Sequence, residues 1–191
     1  MPLYRLNIQI EGDNTEVLNV PYFAQPETNK FCYICSFLMI LDYFKNIYPS
    51  QIINQNTPYL NFDELVKITK THDGGTRTED LVAHLEGSIP TLKFEIVRNG
   101  NFDMIRQSLE NNIPIIIIYC GDYLYNHEIA GGHAGVVIGL TGNKIILNNP
   151  WIGYQVAFER AEFKDAWDIE RNQFIRIKPA LQERLMEDAN D

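Results

Sequence analysis

LNVPYFAQPETNKFCYICSFLMILDYF, residues 18–44, joins a loop bracketed by Pro21 and Pro26 to the strongest helix pattern in the chain. After the loop, apolar residues recur at the spacing of an α-helix, which predicts an amphipathic helix with one face in a core. Cys32 stands just before or at the start of that helix. A helix N-terminus stabilises a thiolate, because free backbone N–H groups and the helix dipole favour negative charge there.

The overall composition is that of an ordinary globular protein. The chain has 191 residues, of which 45% are hydrophobic and 21% are charged, and a chain of this length can bury a core without disulfides. Its formal net charge of −9 argues against nucleic acid or an anionic membrane surface as the main partner, because both require a basic face. Three cysteines, an odd and small number, argue against a disulfide scaffold.

Targeting and membrane signals are not visible in the sequence. Residues 1–13 show no basic stretch followed by an apolar block, which a secretory signal would require. The apolar run Ile115–Tyr119 is far shorter than the ~20 residues of a membrane-spanning helix. We therefore expect a cytoplasmic protein without membrane insertion, although a chain from which a signal had been removed would look the same.

Capping residues and apolar periodicity divide the chain into a helical first part and a strand-rich second part. In the first part we expect strands at 4–10, 17–20 and 92–97, helices over 62–70 and 102–112 capped by Asn61 and Asn101, and a helix over 79–87 capped by Thr78. In the second part we expect a buried strand over 113–120, strands at 134–140 and 143–148 joined by Thr141-Gly142, a short helix over 159–168 and a strand at 174–177. This order predicts an α+β fold with a mostly antiparallel sheet.

Four residues carry the candidate chemistry: Gln25, Cys32, His133 and Asn149. The predicted hairpin brings the start of one strand, at His133, beside the end of the next, at Asn149. An asparagine oxygen there can hold the ring N–H of the histidine and fix its tautomer. Gln25 lies in the loop before Cys32, where its amide can donate to an oxyanion together with the backbone N–H of Cys32.

The sequence resembles a known family, the papain-like cysteine peptidases that process bacteriocin leaders after a double glycine, and their stand-alone bacterial relatives. The resemblance begins with VPY-x-x-Q, the cysteine and the apolar helix ending in Asp-Tyr-Phe. It continues through about residues 16–178 in the segments GGTRTEDLVAHLEG (74–87), IPIIIIY (113–119), GGHAGVVIGLTGNKIILNNPW (131–151) and FERAEFKDAW (158–167).

This resemblance implies a papain-like fold over residues 1–178, followed by an acidic tail over 179–191. In that fold a helical half begins with the nucleophile and packs against a mostly antiparallel sheet. Cys32 would be the nucleophile, His133 the base and Gln25 the oxyanion donor, with Asn149 in place of the usual aspartate. The implied activity is cleavage of a peptide bond in a peptide or protein substrate through an acyl-enzyme, with no cofactor.

One departure from the family pattern lies beside the nucleophile. The family reads Cys-Gly-Pro, whereas this chain reads Cys32-Tyr33-Ile34, and the larger side chains are expected to narrow the groove for glycine-rich substrates. Two alternatives therefore stay open. The chain can be a papain-fold deamidase, transglutaminase-like enzyme or transpeptidase, since fold does not fix substrate. It can also be a degenerate module that binds a leader peptide without cutting it.

The remaining candidate residues also have structural interpretations. Free cysteines are often inert core residues, which is a possible reading for Cys32 and the one we expect for Cys35 and Cys120. We expect His72 and His84 on the surface. We expect Trp151 to shield the His133–Asn149 bond, a role that is compatible with its alternative interpretation as a core aromatic. His127, Cys120 and His133 do not have a recognised zinc-ligand spacing, so no metal is expected. The segment Gly121–Gly132 either borders the site and selects substrate or is a plain surface connection.

Overall fold

The computed structural model describes residues 4–26, 31–49, 61–71, 75–127 and 131–180. Its helices are α1 Cys32–Ile47, α2 Phe62–Thr69, α3 Thr78–Ser88, α4 Phe102–Glu110, α5 Gly121–Asn126 and α6 Arg160–Ile169. Its strands are β1 Arg5–Ile10, β2 Asp13–Leu18, β3 Leu92–Val97, β4 Ile115–Cys120, β5 Gly132–Leu140, β6 Lys144–Asn149, β7 Gly153–Glu159 and β8 Phe174–Pro179. None of these helices is long and apolar enough to span a membrane.

The strands β3 to β8 form one antiparallel sheet in the order β3-β8-β4-β5-β6-β7, and β1 and β2 form a separate ribbon. Helix α1 packs against β4, β5 and β6 and is buried over nearly its whole length. The predicted α+β architecture, with a helix that begins at Cys32 packed on a mostly antiparallel sheet, is confirmed.

Two of the three predicted helix caps are present. Asn61 begins α2 with a reciprocal capping box, in which its side chain accepts from the backbone N–H of Glu64 at 3.0 Å. Asn101 caps α4 by accepting from the backbone N–H of Met104 at 2.9 Å. The prediction that Thr78 caps α3 was wrong, because the helix begins at Thr78 itself and the Thr78 hydroxyl bonds to the side chains of Tyr33 and Gln173 instead.

The strand boundaries differ from expectation where side chains are polar or half-buried. β7 was not predicted, since most of its residues are only partly buried and its apolar residues do not alternate cleanly. β2 begins at Asp13, four residues before the predicted start, because its polar first half is held by backbone pairing with β1 rather than by burial. In the segment between β4 and β5, the first six residues form the short helix α5, and 128–130 lie outside the described residues.

The predicted boundary near residue 178 falls within the last strand. β8 runs to Pro179, and the backbone N–H of Ala180 donates to the carbonyl of Thr91 at 2.9 Å. Residues 181–191, which make up most of the expected acidic tail, lie outside the described residues.

Candidate active site

The loop that leads to Cys32 is tied to the carboxyl end of β6. The amide of Asn148 donates to the carbonyl of Val20 at 3.0 Å, and the hydroxyl of Tyr22 donates to the carbonyl of Asn149 at 3.3 Å. The backbone N–H of Gln25 donates to the carbonyl of Pro150 at 2.8 Å. These bonds hold the half-buried Gln25 beside the end of the strand that carries Asn149.

His133 and Asn149 are in direct contact. Nε2 of His133 lies 3.0 Å from Oδ1 of Asn149, and both side chains are buried. The contact follows from antiparallel pairing of β5 with β6, which sets Val136 opposite Asn148 and so brings the start of β5 towards the end of β6. Since Nε2 faces Asn149, Nδ1 is on the other side of the ring.

Four further groups surround the Asn149 side chain. Its Oδ1 also accepts from the backbone N–H groups of Trp151 at 2.9 Å and Ile152 at 3.2 Å. Its Nδ2 donates to the hydroxyls of Tyr119 at 2.7 Å and Tyr125 at 2.8 Å. The amide therefore has hydrogen-bond partners on both its oxygen and its nitrogen, as a buried polar group requires.

Burial lowers the pKa of His133 below that of a free imidazole. The hydrogen bond to Asn149 and the nearby carboxylate of Asp122 act in the opposite direction, because both favour the imidazolium. Asp122 is held in place by the backbone N–H of Gly131, which donates to its Oδ2 at 2.7 Å. In the resting protein the imidazole is thus poised to be neutral and able to accept a proton.

Cys32 is the first residue of α1 and is 7% exposed. Burial raises the pKa of its thiol, and the backbone N–H groups of Ala134, Tyr33 and Cys32 itself offset this only in part. The sequence led us to expect a lowered pKa, and that direction was wrong because burial of the charged form outweighs the helix N-terminus. Ala134 directly follows His133, so the hydrogen bond from its backbone N–H places the Cys32 sulfur beside the start of β5.

Tyr33 and Ile34, which replace the Gly-Pro of the family pattern, are both buried. The Tyr33 hydroxyl lies 2.5 Å from that of Thr78, which in turn donates to Oε1 of Gln173 at 2.9 Å. Burial raises the pKa of Tyr33, so its hydroxyl stays protonated at neutral pH. The tyrosine side chain is therefore directed towards α3 and the residue before β8.

Comparison with known proteins agrees with this architecture. The Peptidase_C39 like family matches residues 17–175, more than four-fifths of the chain. The chain belongs to this family. Membership of this family supports a cysteine peptidase. No curated protein matches the chain.

Among solved structures, this C39-like chain is similar to a protein from Bacillus anthracis described as a C39-like peptidase, with a TM-score of 0.64 and 16% identity over 84% of this chain and 94% of that one. It is also similar to a double-glycine-motif protease from an AMS/PCAT transporter in complex with the leader peptide (TM-score 0.57, 18% identity, 85% and 93% covered). A third similar structure is the peptidase domain of Streptococcus ComA, a bifunctional ABC transporter in quorum sensing. Its TM-score is 0.55 and its identity 16%, over 84% of this chain and 99% of that one. At these identities the likeness shows the papain-like fold.

Trp151 lies over one side of the site in this C39-like chain. Its ring centroid is 5.9 Å from that of His133 and 5.9 Å from that of Tyr125. The side chain is 47% exposed, which excludes the reading as a core aromatic and fits the expectation that it shields the His133–Asn149 bond from water.

The other two cysteines are buried away from solvent. Cys35 lies one turn after Cys32, and its sulfur contacts the carbonyl of Ala24 at 3.8 Å. Burial and the neighbouring Cys32 raise the pKa of Cys35 to about 12, so it is a poor nucleophile at neutral pH. Cys120 is fully buried at the end of β4. Both locations agree with the packing role that we expected.

Two further histidines, His84 and His127, have contacts of their own. His84 contacts the carbonyl of Asp80 at 2.5 Å on α3, and His127 packs against Tyr123 after α5. His72 lies outside the described residues. Within the part of the chain that the structure describes, no group of three or more His, Cys, Asp or Glu side chains is arranged to hold a metal ion.

Sequence reasoning missed three residues around the site: Tyr119, Tyr125 and Asp122. Tyr119 offered a signal, because a tyrosine in a fully buried apolar strand needs a hydrogen-bond partner for its hydroxyl. Tyr125 and Asp122 offered none, since their positions depend on the short helix α5, which was expected to be loop.

Proposed function

We propose that this chain is a cysteine peptidase that cleaves a peptide bond with the triad Cys32, His133 and Asn149 through an acyl-enzyme. The observation that carries the proposal is the buried 3.0 Å contact between His133 and Asn149. Cys32, at the start of α1, lies beside β5, the strand that carries His133. Membership of the Peptidase_C39 like family supports the same reaction class.

In the first half of the reaction, Nδ1 of His133 takes the proton of the Cys32 thiol as the sulfur attacks the carbonyl carbon of the substrate. A C–S bond forms and the carbonyl becomes an oxyanion. The imidazolium then gives its proton to the departing amine as the C–N bond breaks, leaving a thioester. A neutral thiol and a neutral imidazole suit this scheme, because proton transfer and attack occur together.

The second half uses the same groups in reverse. His133 takes a proton from water, the resulting hydroxide attacks the thioester, and the C–S bond breaks to release the acid and restore the thiol. Gln25 is the proposed side-chain donor to the oxyanion, together with the backbone N–H of Cys32. The tie between Gln25 and Pro150 supports this role, because it keeps the glutamine beside Asn149.

The proposed substrate is a peptide. One structural relative is described as bound to a leader peptide, which makes leader-like peptides with small residues before the cleavage point the first ones to test. The burial of Tyr33 and Ile34 within the domain is compatible with an extended peptide passing the thiol, because neither side chain extends into solvent.

The proposal is tested by incubating the protein with a library of leader-like peptides and weighing the products by mass spectrometry. We expect two fragments, no fragments with Cys32→Ala, and fragments at the normal rate with Cys35→Ala, the matched variant one helical turn away. An intact peptide whose glutamine has become glutamate would identify a deamidase instead. A peptide that binds to both wild type and Cys32→Ala but is never changed would identify a binding module.

A further inference from the structure

Two tyrosine hydroxyls meet at the amide nitrogen of Asn149. Nδ2 lies 2.7 Å from the hydroxyl of Tyr119 and 2.8 Å from that of Tyr125, and the two hydroxyl oxygens lie 3.4 Å apart. Tyr119 comes from β4 and Tyr125 from α5, so two elements supply the acceptors. The Asn149 side chain is fully buried, which excludes bulk water as an alternative partner.

The orientation of this amide decides which nitrogen of His133 carries a proton. With Oδ1 towards Nε2, the neutral ring must hold its hydrogen on Nε2, and Nδ1 keeps the lone pair. If the amide turned over, Nδ2 would face Nε2, and the ring would have to accept there and carry its hydrogen on Nδ1. The nitrogen left for the thiol would then have no free lone pair.

The hydrogen bonds to Oδ1 account for only the oxygen half of the Asn149 amide. The backbone N–H groups of Trp151 and Ile152 favour an oxygen on their side. The two N–H bonds of Nδ2 also need acceptors, and among the described residues these are the phenol oxygens of Tyr119 and Tyr125. Removing both would leave a buried amide N–H₂ without its partners, which costs free energy in the native orientation and so reduces its advantage over the rotated one.

The two phenols are suited to accepting rather than ionising. Burial raises the pKa of Tyr119 and of Tyr125, so both hydroxyls remain neutral and keep oxygen lone pairs for Nδ2. Their rings are also held by aromatic neighbours. The Tyr119 ring packs on Phe163 at 5.0 Å, and the Tyr125 ring stands edge-on to Trp151 at 5.9 Å.

We propose that Tyr119 and Tyr125 are positioning residues that lock the Asn149 amide and thereby hold His133 in the tautomer whose Nδ1 can act as a base. The proposal rests on the proposed peptidase function for its consequence, but the tautomer itself is a property of the resting protein. Neither hydroxyl needs to touch the substrate. An asparagine suits this position because it presents an acceptor to His133 and a donor to the two phenols at once.

The test compares wild type, Tyr125→Phe and the Tyr119→Phe/Tyr125→Phe double variant by NMR of protein labelled with ¹⁵N in its histidines. Assignment by comparison with His133→Gln identifies the His133 signals. Tyr123→Phe is the matched control, since Tyr123 lies on the same helix and its ring faces His127 instead. The rate of Cys32 alkylation by iodoacetamide at neutral pH, followed by mass spectrometry, is the second readout.

We expect wild type and Tyr123→Phe to hold the hydrogen on Nε2. In the double variant we expect a mixture of tautomers and alkylation of Cys32 that is slower by about tenfold. Tyr125→Phe, at a half-buried position, is expected to show the same changes to a smaller extent. If the double variant does not fold, this single variant tests the proposal.

Two results would overturn the proposal: a wild-type His133 with its hydrogen on Nδ1, or folded variants that keep the wild-type tautomer and alkylation rate. Both are independent of peptide cleavage. A protein that shows the expected tautomer change but cleaves no peptide would contradict the proposed function while supporting the role of the two tyrosines.

Discussion

The hydroxyls of Tyr33 and Thr78 lie 2.5 Å apart and join the helix that begins with Cys32 to the helix that begins with Thr78. Thr78 extends the chain of bonds to Gln173, immediately before β8. The residue next to the candidate nucleophile is thus part of a brace between three elements.

Tyr33→Phe removes one buried hydrogen bond and keeps the ring. We expect the free energy of unfolding to fall by about 1 kcal/mol and the melting temperature to fall by roughly 2–4 °C. Tyr154→Phe, at a position that is 47% exposed, is the control and should melt like the wild type. Calorimetry measures both, and equal melting temperatures for Tyr33→Phe and wild type would show that the brace contributes nothing.

The pH dependence of Cys32 alkylation follows from its burial. Because burial raises the pKa of this thiol, we expect the rate to climb through the alkaline range instead of reaching a plateau in acid. His133→Ala should slow alkylation near neutral pH, where the imidazole takes the proton, and change it little at high pH. Cys35, whose pKa is about 12, serves as an internal comparison and should react more slowly throughout.

The pH profile of Cys32 alkylation distinguishes two resting states of the site. A rate that is already high and constant from acid to neutral pH, and that depends on His133, would mean a stable thiolate–imidazolium pair. The neutral pair proposed above would then be wrong, although the same residues could still carry out the reaction.

The depressed pKa of His133 also couples stability to pH. In the unfolded chain this histidine titrates near its ordinary value of about 6.5, whereas burial makes the folded chain hold the proton less tightly. As the pH falls from about 6.5 towards the lower folded pKa, the unfolded state takes up more protons, and stability decreases.

His133→Gln should therefore weaken the loss of stability on acidification. Urea unfolding at several pH values between neutral and mildly acidic measures the slope for wild type and variant. Parallel slopes for the two proteins would show that His133 does not titrate differently on folding.

Gly139 is a point of close approach between the main sheet and the β1–β2 ribbon. A Cβ at this position would lie 2.6 Å from Cγ1 of Val17 and 3.1 Å from Cδ1 of Ile146. Both neighbours are core side chains, so we expect Gly139→Ala to destabilise the fold by about 1–3 kcal/mol. Gly142→Ala, in the nearby turn, meets nothing within 4 Å and is the matched control. Denaturant titration of the pair should give clearly separated midpoints, and coincident midpoints would contradict this account.

Hairpin geometry explains why the His133–Asn149 contact could be predicted from the sequence, whereas its surroundings could not. Two strands joined by a tight turn determine which residues approach each other, and that information is local. The acceptors for the Asn149 amide come from β4 and α5, and their arrival depends on sheet order and on a helix too short to leave a periodic pattern. The pKa of Cys32 was misjudged for a related reason: a helix N-terminus is visible in a sequence, but the depth at which it is buried is not.

The same contrast holds for Thr78. A threonine at this position is typical of a helix N-cap. In the structure its hydroxyl bonds to Tyr33 and Gln173 instead, and these contacts between distant parts of the chain are not visible in the local sequence. β7 was missed because half-buried strands carry little alternation, so backbone pairing with β6 defines it.

The strand order has a consequence for how the protein is made. Among the described strands β8 comes last in the sequence, yet it lies inside the sheet, with β3 on one side and β4 on the other. During synthesis, β3 must wait for more than seventy residues before its neighbour leaves the ribosome. When Cys32, His133 and Asn149 have left the ribosome but β8 has not, β3 is not yet joined to β4. Gln173, the last residue of the chain of bonds from Tyr33 through Thr78, is also still missing. We therefore expect Cys32 to reach its final surroundings only when β8 has joined the sheet, and a chain shortened to end before Phe174 to lack a cooperative unfolding transition.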